Sequence, residues 1–181
     1  MSPTSILGLV LTDGDLPWAE LQAARLDGEV YELGDVFCPI GELETPRHRA
    51  RAAIGGRSHR LIAELGTAAW VWGAAPQPAS LEFAVTPAAR ARLSPDQHVT
   101  VREIVFATND LVEFDGVTVT TPVRTAVDLA RFRNPFDPEI VTRLAAIAKF
   151  TLSDCLALFE SRSGIPSKKR AIRNLTGALV T

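Results

Sequence analysis

The stretch DGVTVTTPVRTAVDLAR, Asp115–Arg131, decides how the chain is read. Asp115-Gly116 is a turn dipeptide between two short runs of alternating polarity, Leu111–Phe114 and Val117–Thr120. That pattern predicts a tight β-hairpin. The second run meets Thr121-Pro122, a capping residue followed by a proline suited to the first helical turn. Val123, Ala126, Val127 and Ala130 follow at helical spacing and give one apolar face. Arg124, Asp128 and Arg131 fall together on another. The unit is therefore strand, turn, strand and capped helix. Arg124 sits in the first turn, where the helix dipole disfavours a cation, and Asp128 lies on its weaker, C-terminal side. That i,i+4 pair gains only ~0.3 kcal/mol, so Arg124 needs a second partner elsewhere. Arg124–Asp128 is expected to be a partly buried structural ion pair.

Size and composition bound the rest. The 181 residues, 46% hydrophobic and 22% charged, suit one domain with an appendage or two small domains with a real core. Cys38 and Cys155 have no metal-ligand spacing and point to a reducing cytoplasm. The apolar run Ile6–Leu11 is too short to span a bilayer, so no membrane association is expected. Charge is segregated. Residues 1–44 hold nine acids and one base, a balance of −8, whereas residues 45–181 hold 18 bases and 12 acids, +6. The two segments should attract each other or face different partners.

At the N-terminal end, a helix from Ser2-Pro3 through Leu11, a turn at Thr12–Asp15 and a helix from Leu16 to Leu26 are expected. A small hairpin of Glu29–Leu33 and Val36–Ile40 follows, around Gly34-Asp35. This order is like the end of a winged helix-turn-helix, but truncated. Its second helix offers Trp18, Glu20, Gln22 and Arg25, and its hairpin carries Glu29, Glu32 and Asp35. Base edges call for Arg, Lys, Asn or Gln, and DNA bears one charge per ~1.7 Å, so this segment should be repelled. A packing role is the alternative.

Beyond it, Thr45-Pro46 opens a helix by the same logic as Thr121-Pro122. Arg47, His48, Arg49, Arg51, Arg57, His59 and Arg60 follow without an acid, and Gly55-Gly56 breaks the helix. Either this is a phosphate-binding patch or its charge is neutralised by the acidic segment. Leu61–Leu65 is expected to be a buried strand and Thr67–Gly73 a short helix. Trp70 and Trp72 within it are read as core in preference to base-stacking residues. Leu81–Thr86 and Val99–Ala107 are expected strands. Helices are expected at Pro138–Phe150, Leu152–Arg162 (capped by Thr151 or Ser153) and Ser167–Leu179. No acid follows Glu160, and Lys168, Lys169, Arg170 and Arg173 form a basic end that either binds nucleic acid or an acidic partner, or is solvated with Ile172, Leu175 and Leu179 docked.

The Asp115–Arg131 stretch resembles the signature of the AbiEi-type antitoxin family, often G-V-x-V-T-x-P-x-R-T-x-x-D-L-A-R. The matching residues are Gly116, Val117, Val119, Thr120, Pro122, Arg124, Thr125, Asp128, Leu129, Ala130 and Arg131. Thr67, Ala68, Ala69 and Gly73 resemble a second family block, and Gly164, Arg170 and Ala171 a third. The resemblance is to the actinobacterial branch, without the nuclease-like domain that some relatives add. It implies an α+β fold: a degenerate winged-helix-like segment (residues 1–44), then an antitoxin-like α/β domain with antiparallel strands and C-terminal helices (residues 45–181). It further implies a non-enzymatic type IV antitoxin and transcriptional regulator, with operator DNA and a nucleotidyltransferase-type toxin as partners and a homodimer as candidate assembly. Arg47, Arg49, Arg51, Arg57, Arg60, Lys168, Lys169, Arg170 and Arg173 would contact the DNA. The alternatives are an interaction module that has lost DNA reading and a nuclease-related enzyme.

No catalytic motif stands out. There is no glycine-rich phosphate loop, no G-x-S-x-G elbow and no Asp/Glu-x-Lys nuclease core. His48, His59 and His98 lack metal spacing, so neither metal nor cofactor is expected.

Overall fold

The computed structural model describes residues 10–89, 99–160 and 165–180. Its centre is the expected hairpin. Strands β6 (Leu111–Phe114) and β7 (Val117–Thr120) pair antiparallel, with Phe114 opposite Val117 and Leu111 opposite Thr120. Asp115 and Gly116 both take positive φ, 50° and 80°. That is the two-residue turn whose twist matches the strands, and aspartate and glycine tolerate it best. Helix α4 (Pro122–Phe132) follows at once, and the Thr121 side chain accepts from the Arg124 N–H at 3.3 Å.

The hairpin is one side of a five-stranded sheet of order β5-β4-β3-β7-β6. Strands β3 (Ile62–Ala63), β4 (Leu81–Val85) and β5 (Val99–Glu103) complete it. The sheet is mixed. β3 lies parallel to β7 and β4 parallel to β5, whereas β3–β4 and β6–β7 are antiparallel. The fold is α+β, with the helical portion C-terminal.

Ahead of the sheet stand helix α1 (Trp18–Leu26), hairpin β1 (Val30–Leu33) and β2 (Val36–Pro39), and helix α2 (Pro46–Ile54). Helix α3 (Leu65–Val71) lies between β3 and β4. Helices α5 (Pro138–Ala148), α6 (Leu152–Glu160) and α7 (Lys168–Leu179) close the chain. One core forms between the sheet, α2, α3 and hairpin β1–β2, and includes Leu33, Val36, Cys38, Ile54, Trp70 and Phe83. A second lies among α3 to α7, around Val127, Leu144, Phe159 and Leu175.

Several expectations are corrected. The N-terminal helix falls mostly outside the described residues, and its expected end, Leu11, is extended and exchanges backbone hydrogen bonds with Phe37 at 2.7 and 2.9 Å. Among the described residues, helix α1 precedes the first hairpin. α1 starts after Pro17, whose extended ψ of 140° sets the helix entry. β3 is short because Leu65, at φ 48°, turns the chain directly into α3. β5 ends at Glu103. The Ile104 N–H makes the last bond, to the Val85 carbonyl, before Thr108–Asp110 winds into a 3-10 turn. On α6, Thr151 is the cap, donating through its N–H and hydroxyl to Asp154 Oδ2 at 2.7 and 2.8 Å. No helix among the described residues is long and apolar enough to cross a membrane.

Arg124, Asp128 and Arg131 share a face of α4, as expected, and that face is covered. Arg124 is 3% exposed and Asp128 1%.

Candidate functional site

The sequence offers two basic sets, and the structure treats their members differently. On α2, Arg47 donates in bidentate fashion to Asp115, Nε at 2.9 Å and Nη2 at 2.6 Å, on an open surface. This pair pins the helix to the hairpin turn. His48 is buried. Its Nδ1 accepts from the Thr45 N–H at 3.3 Å, so the proton belongs on Nε2, which faces Glu42 Oε2 at 3.0 Å. Arg49 donates to Glu44 at 2.6 Å and to the Val71 carbonyl at 2.9 Å. Gly73, at φ 82°, makes room for it, since a Cβ there would stand 2.9 Å from Arg49 Nη2. Arg57 donates to the Ala53 carbonyl and to Asp35 at 3.3 Å.

Asp35, Glu42 and Glu44 all come from the acidic segment. It therefore lies against the basic run and takes up Arg49, His48 and Arg57. Arg51 and Arg60 have no acidic partner among the described residues. Arg51 and Arg57 line a cleft of about 760 Å³ with Asp13, Asp15, Asp35 and Trp18.

On α7, Lys168, Lys169 and Arg173 are exposed. The Lys168 ammonium stands 5.8 Å from the Phe159 ring centroid. Arg170 instead turns inward and donates to the Arg133 carbonyl. Leu175 is buried, Ile172 and Leu179 are half-buried, and Asn174 donates to the Ala130 carbonyl at 2.9 Å. The helix is docked on its apolar face and cationic on the other. α2 packs in the core around the sheet and α7 in the core among the helices.

The densest charge lies elsewhere, beneath α4. Arg124 donates from Nε to Asp128 at 2.6 Å and from Nη1 to Asp110 at 2.8 Å. Asp110, 3% exposed, is the second partner that the helix position required. It also accepts from the Ala107 N–H at 2.8 Å. Asp128 accepts in addition from Arg131 at 2.7 Å. Next to it, Arg102 grips buried Glu64 with Nε at 2.7 Å and Nη2 at 2.6 Å. Burial pushes the Glu64 carboxyl up from its usual range, against the pull of Arg102. Burial likewise lowers Arg131, against the charge of Asp128. Arg133 bonds Glu82, which also accepts from the Gly66 N–H at 2.9 Å.

Of this network, sequence reasoning named Arg124, Asp128 and Arg131. It missed Asp110, Glu64, Glu82, Arg102 and Arg133. Arg102 lies on β5 and Glu64, 38 residues away, follows β3, with β4 between the two strands, and no local spacing links them. The tryptophans are structural. Trp70 is buried, and Trp72 donates Nε1–H to the Thr120 carbonyl at 2.8 Å while meeting Phe114 edge-on. Among the described residues no three His, Cys, Asp or Glu side chains are grouped to hold a metal ion.

The family described as the AbiEi antitoxin C-terminal domain matches residues 61–175. That span contains the sheet from β3 to β7 and helices α3 to α6 complete. A solved structure, the crystal structure of RV2827C protein from Mycobacterium tuberculosis, is similar with a TM-score of 0.51 and 18% identity. The similarity covers 94% of this chain and 72% of that one. It is a likeness of fold. No curated protein matches the chain.

Proposed function

The chain belongs to the AbiEi antitoxin C-terminal domain family, and from that membership we propose that it is a non-enzymatic antitoxin-side regulator that engages DNA through phosphate contacts. The observation that carries the DNA half is the cationic face of α7, where Lys168, Lys169 and Arg173 stand exposed without an acidic partner among the described residues. Arg51 and Arg60 are the members of the other set left without one. Arg47, Arg49 and Arg57 are held by carboxylates and Arg170 by a carbonyl, so they contribute less. Contacts of this kind neutralise phosphates and do not read bases. A nucleotidyltransferase-type toxin is the protein partner that the family implies, and a homodimer the assembly.

A salt series of gel shifts on the DNA upstream of the gene tests the DNA half. Binding should weaken linearly in log–log form, with a slope of about −0.9 per phosphate neutralised. Replacing Lys168, Lys169 and Arg173 by Ala should flatten the slope by roughly one per residue. No binding at low salt, or a slope that the triple variant leaves unchanged, removes that half. Co-expression with a neighbouring nucleotidyltransferase gene tests the toxin half. Growth arrest that the chain does not relieve counts against it.

A second reading is favoured by one arrangement, the acids of residues 35–44 lying on the α2 cations. In it the chain is an interaction module whose basic run is masked. Removing residues 1–44 would also take Leu33, Val36 and Cys38 out of the main core. The milder double variant Asp35→Asn, Glu44→Gln is the better probe. A rise in DNA affinity supports masking, and unchanged affinity argues against it.

A further inference from the structure

Three arginines of the buried network share one opening. Arg102, Arg124 and Arg131 line a cleft of about 420 Å³, with Ile104, Val105 and Phe132 among its walls. Small-ligand sites start at roughly this volume.

Each guanidinium is held from behind and keeps one nitrogen unspent. Arg102 uses Nε and Nη2 on Glu64. Arg124 uses Nε on Asp128 and Nη1 on Asp110. Arg131 uses Nη1 on Asp128 and Nε on the Pro166 carbonyl, at 2.7 and 3.1 Å. Arg102 Nη1, Arg124 Nη2 and Arg131 Nη2 have no hydrogen-bond partner among the described residues. Tyr31 Oη is the one fully buried polar side-chain atom there without a partner. None of the three nitrogens is therefore fully buried, and the three residues line one cleft.

Their orientation is set before any ligand arrives. Arg102 and Arg131 both lie against the Phe132 ring, each Cζ 4.4 Å from its centroid. Arg124 lies 4.9 Å from the Phe106 ring. The Arg124 side chain is 4% exposed and Asp128 1%, so neither can swing away. Guanidiniums fixed in this way lose little freedom when they bind. A buried network of this size is a weak source of stability, because desolvation offsets most of the attraction.

The donors select the ligand. Unspent guanidinium nitrogens on residues that line one cleft suit an oxyanion with several acceptor oxygens, and a phosphate monoester offers three. Glu64, Asp110 and Asp128 already balance the three cations. Recognition would rest on directed N–H groups more than on net charge. Glu103 at the mouth is engaged in an interaction of its own. Ile104 and Val105 leave an apolar wall for the rest of an ester.

We propose that this cleft binds a phosphate monoester through Arg102, Arg124 and Arg131. The proposal does not rest on the DNA reading, whose residues lie on α2 and α7.

The test titrates the full chain with inorganic phosphate and, separately, with adenosine 5′-monophosphate, at ionic strength held constant with chloride. Arginine side-chain NMR signals are the readout. Saturable shifts of the Arg102, Arg124 and Arg131 signals are expected, with a dissociation constant of about 1 mM or tighter. Tighter binding of the nucleotide would identify an ester as ligand, and equal binding the bare anion, both in keeping with the site. Val105→Asp places a carboxylate at the mouth on a residue 77% exposed, so the fold is spared. It should weaken binding at least about tenfold. Arg102→Lys keeps a cation for Glu64 but withdraws the free nitrogen, and should weaken binding while leaving the Arg131 signals in place. The proposal is overturned if no saturable shift occurs, or if Val105→Asp binds phosphate as the parent does. Loss of the shifts on mutating Lys168, Lys169 and Arg173, with Val105→Asp unaffected, would place the anion on α7 and overturn it equally.

Discussion

The arginines of α2 and those around α4 have the same chemistry and opposite circumstances. Arg47 meets Asp115 with side-chain exposures of 57% and 42%, whereas Arg124 meets Asp128 at 4% and 1%. Both contacts include a 2.6 Å bond. Distance alone therefore says little about what an ion pair does. Water screens the first pair, and either partner can be lost with little consequence. In the second, removal of one partner leaves a buried charge short of its donor or acceptor.

The comparison can be broken by substitution. Arg124→Met should cause the largest loss, about 3–5 kcal/mol, because it leaves Asp110 and Asp128 without their main donor. Urea unfolding reads this, and a loss below ~1 kcal/mol would mean that the network is not a buried charge system at all. Arg49→Ala is intermediate. Its side chain is 13% exposed, and it leaves the Val71 carbonyl and Glu44 to solvent, at a cost of about 1–2 kcal/mol. Arg47→Ala should cost less than ~1 kcal/mol, and the difference from the parent should vanish in high salt. A salt-independent loss would contradict the exposed assignment.

Acid titration supplies the smallest effect and sharpens the contrast on α6. The Thr151 N–H and hydroxyl hold the Asp154 carboxyl below the ordinary aspartate range. A lowered folded value means that the cap's contribution is present above about pH 4 and is lost as pH falls through the folded value. Asp154→Ala should flatten the thermal-stability profile on that acid side. Thiol reactivity gives a parallel check of burial. Burial pushes the Cys155 thiol up to about 12, so alkylation near pH 8 should label it in unfolded chains and leave the native protein untouched.

How much could be read in advance follows from how far each interaction reaches. The hairpin turn and the Thr121-Pro122 cap depend on neighbours within a few residues, and the pattern of residue types states them directly. The apolar positions of α7 were legible for the same reason. Arg124 is a partial case. Its unfavourable place in the first helical turn announced a partner, but nothing local pointed to Asp110, 14 residues earlier. Periodicity reports which residues of α4 lie together, and not what covers them.

Local pattern accounts for the strand–turn–strand–capped helix at Asp115–Arg131 and for the acidic and basic segments. These follow from backbone preferences, turn chemistry and charge counts, which are properties of short stretches. What the charges do depends on packing. It laid Asp35, Glu42 and Glu44 against α2, left Lys168, Lys169 and Arg173 to solvent, and closed β5, the segment after it and α4 around Arg102, Arg124 and Arg131. The physical reason is that an ion pair's worth and a guanidinium's spare hydrogen bonds are set by burial and by partners from distant strands.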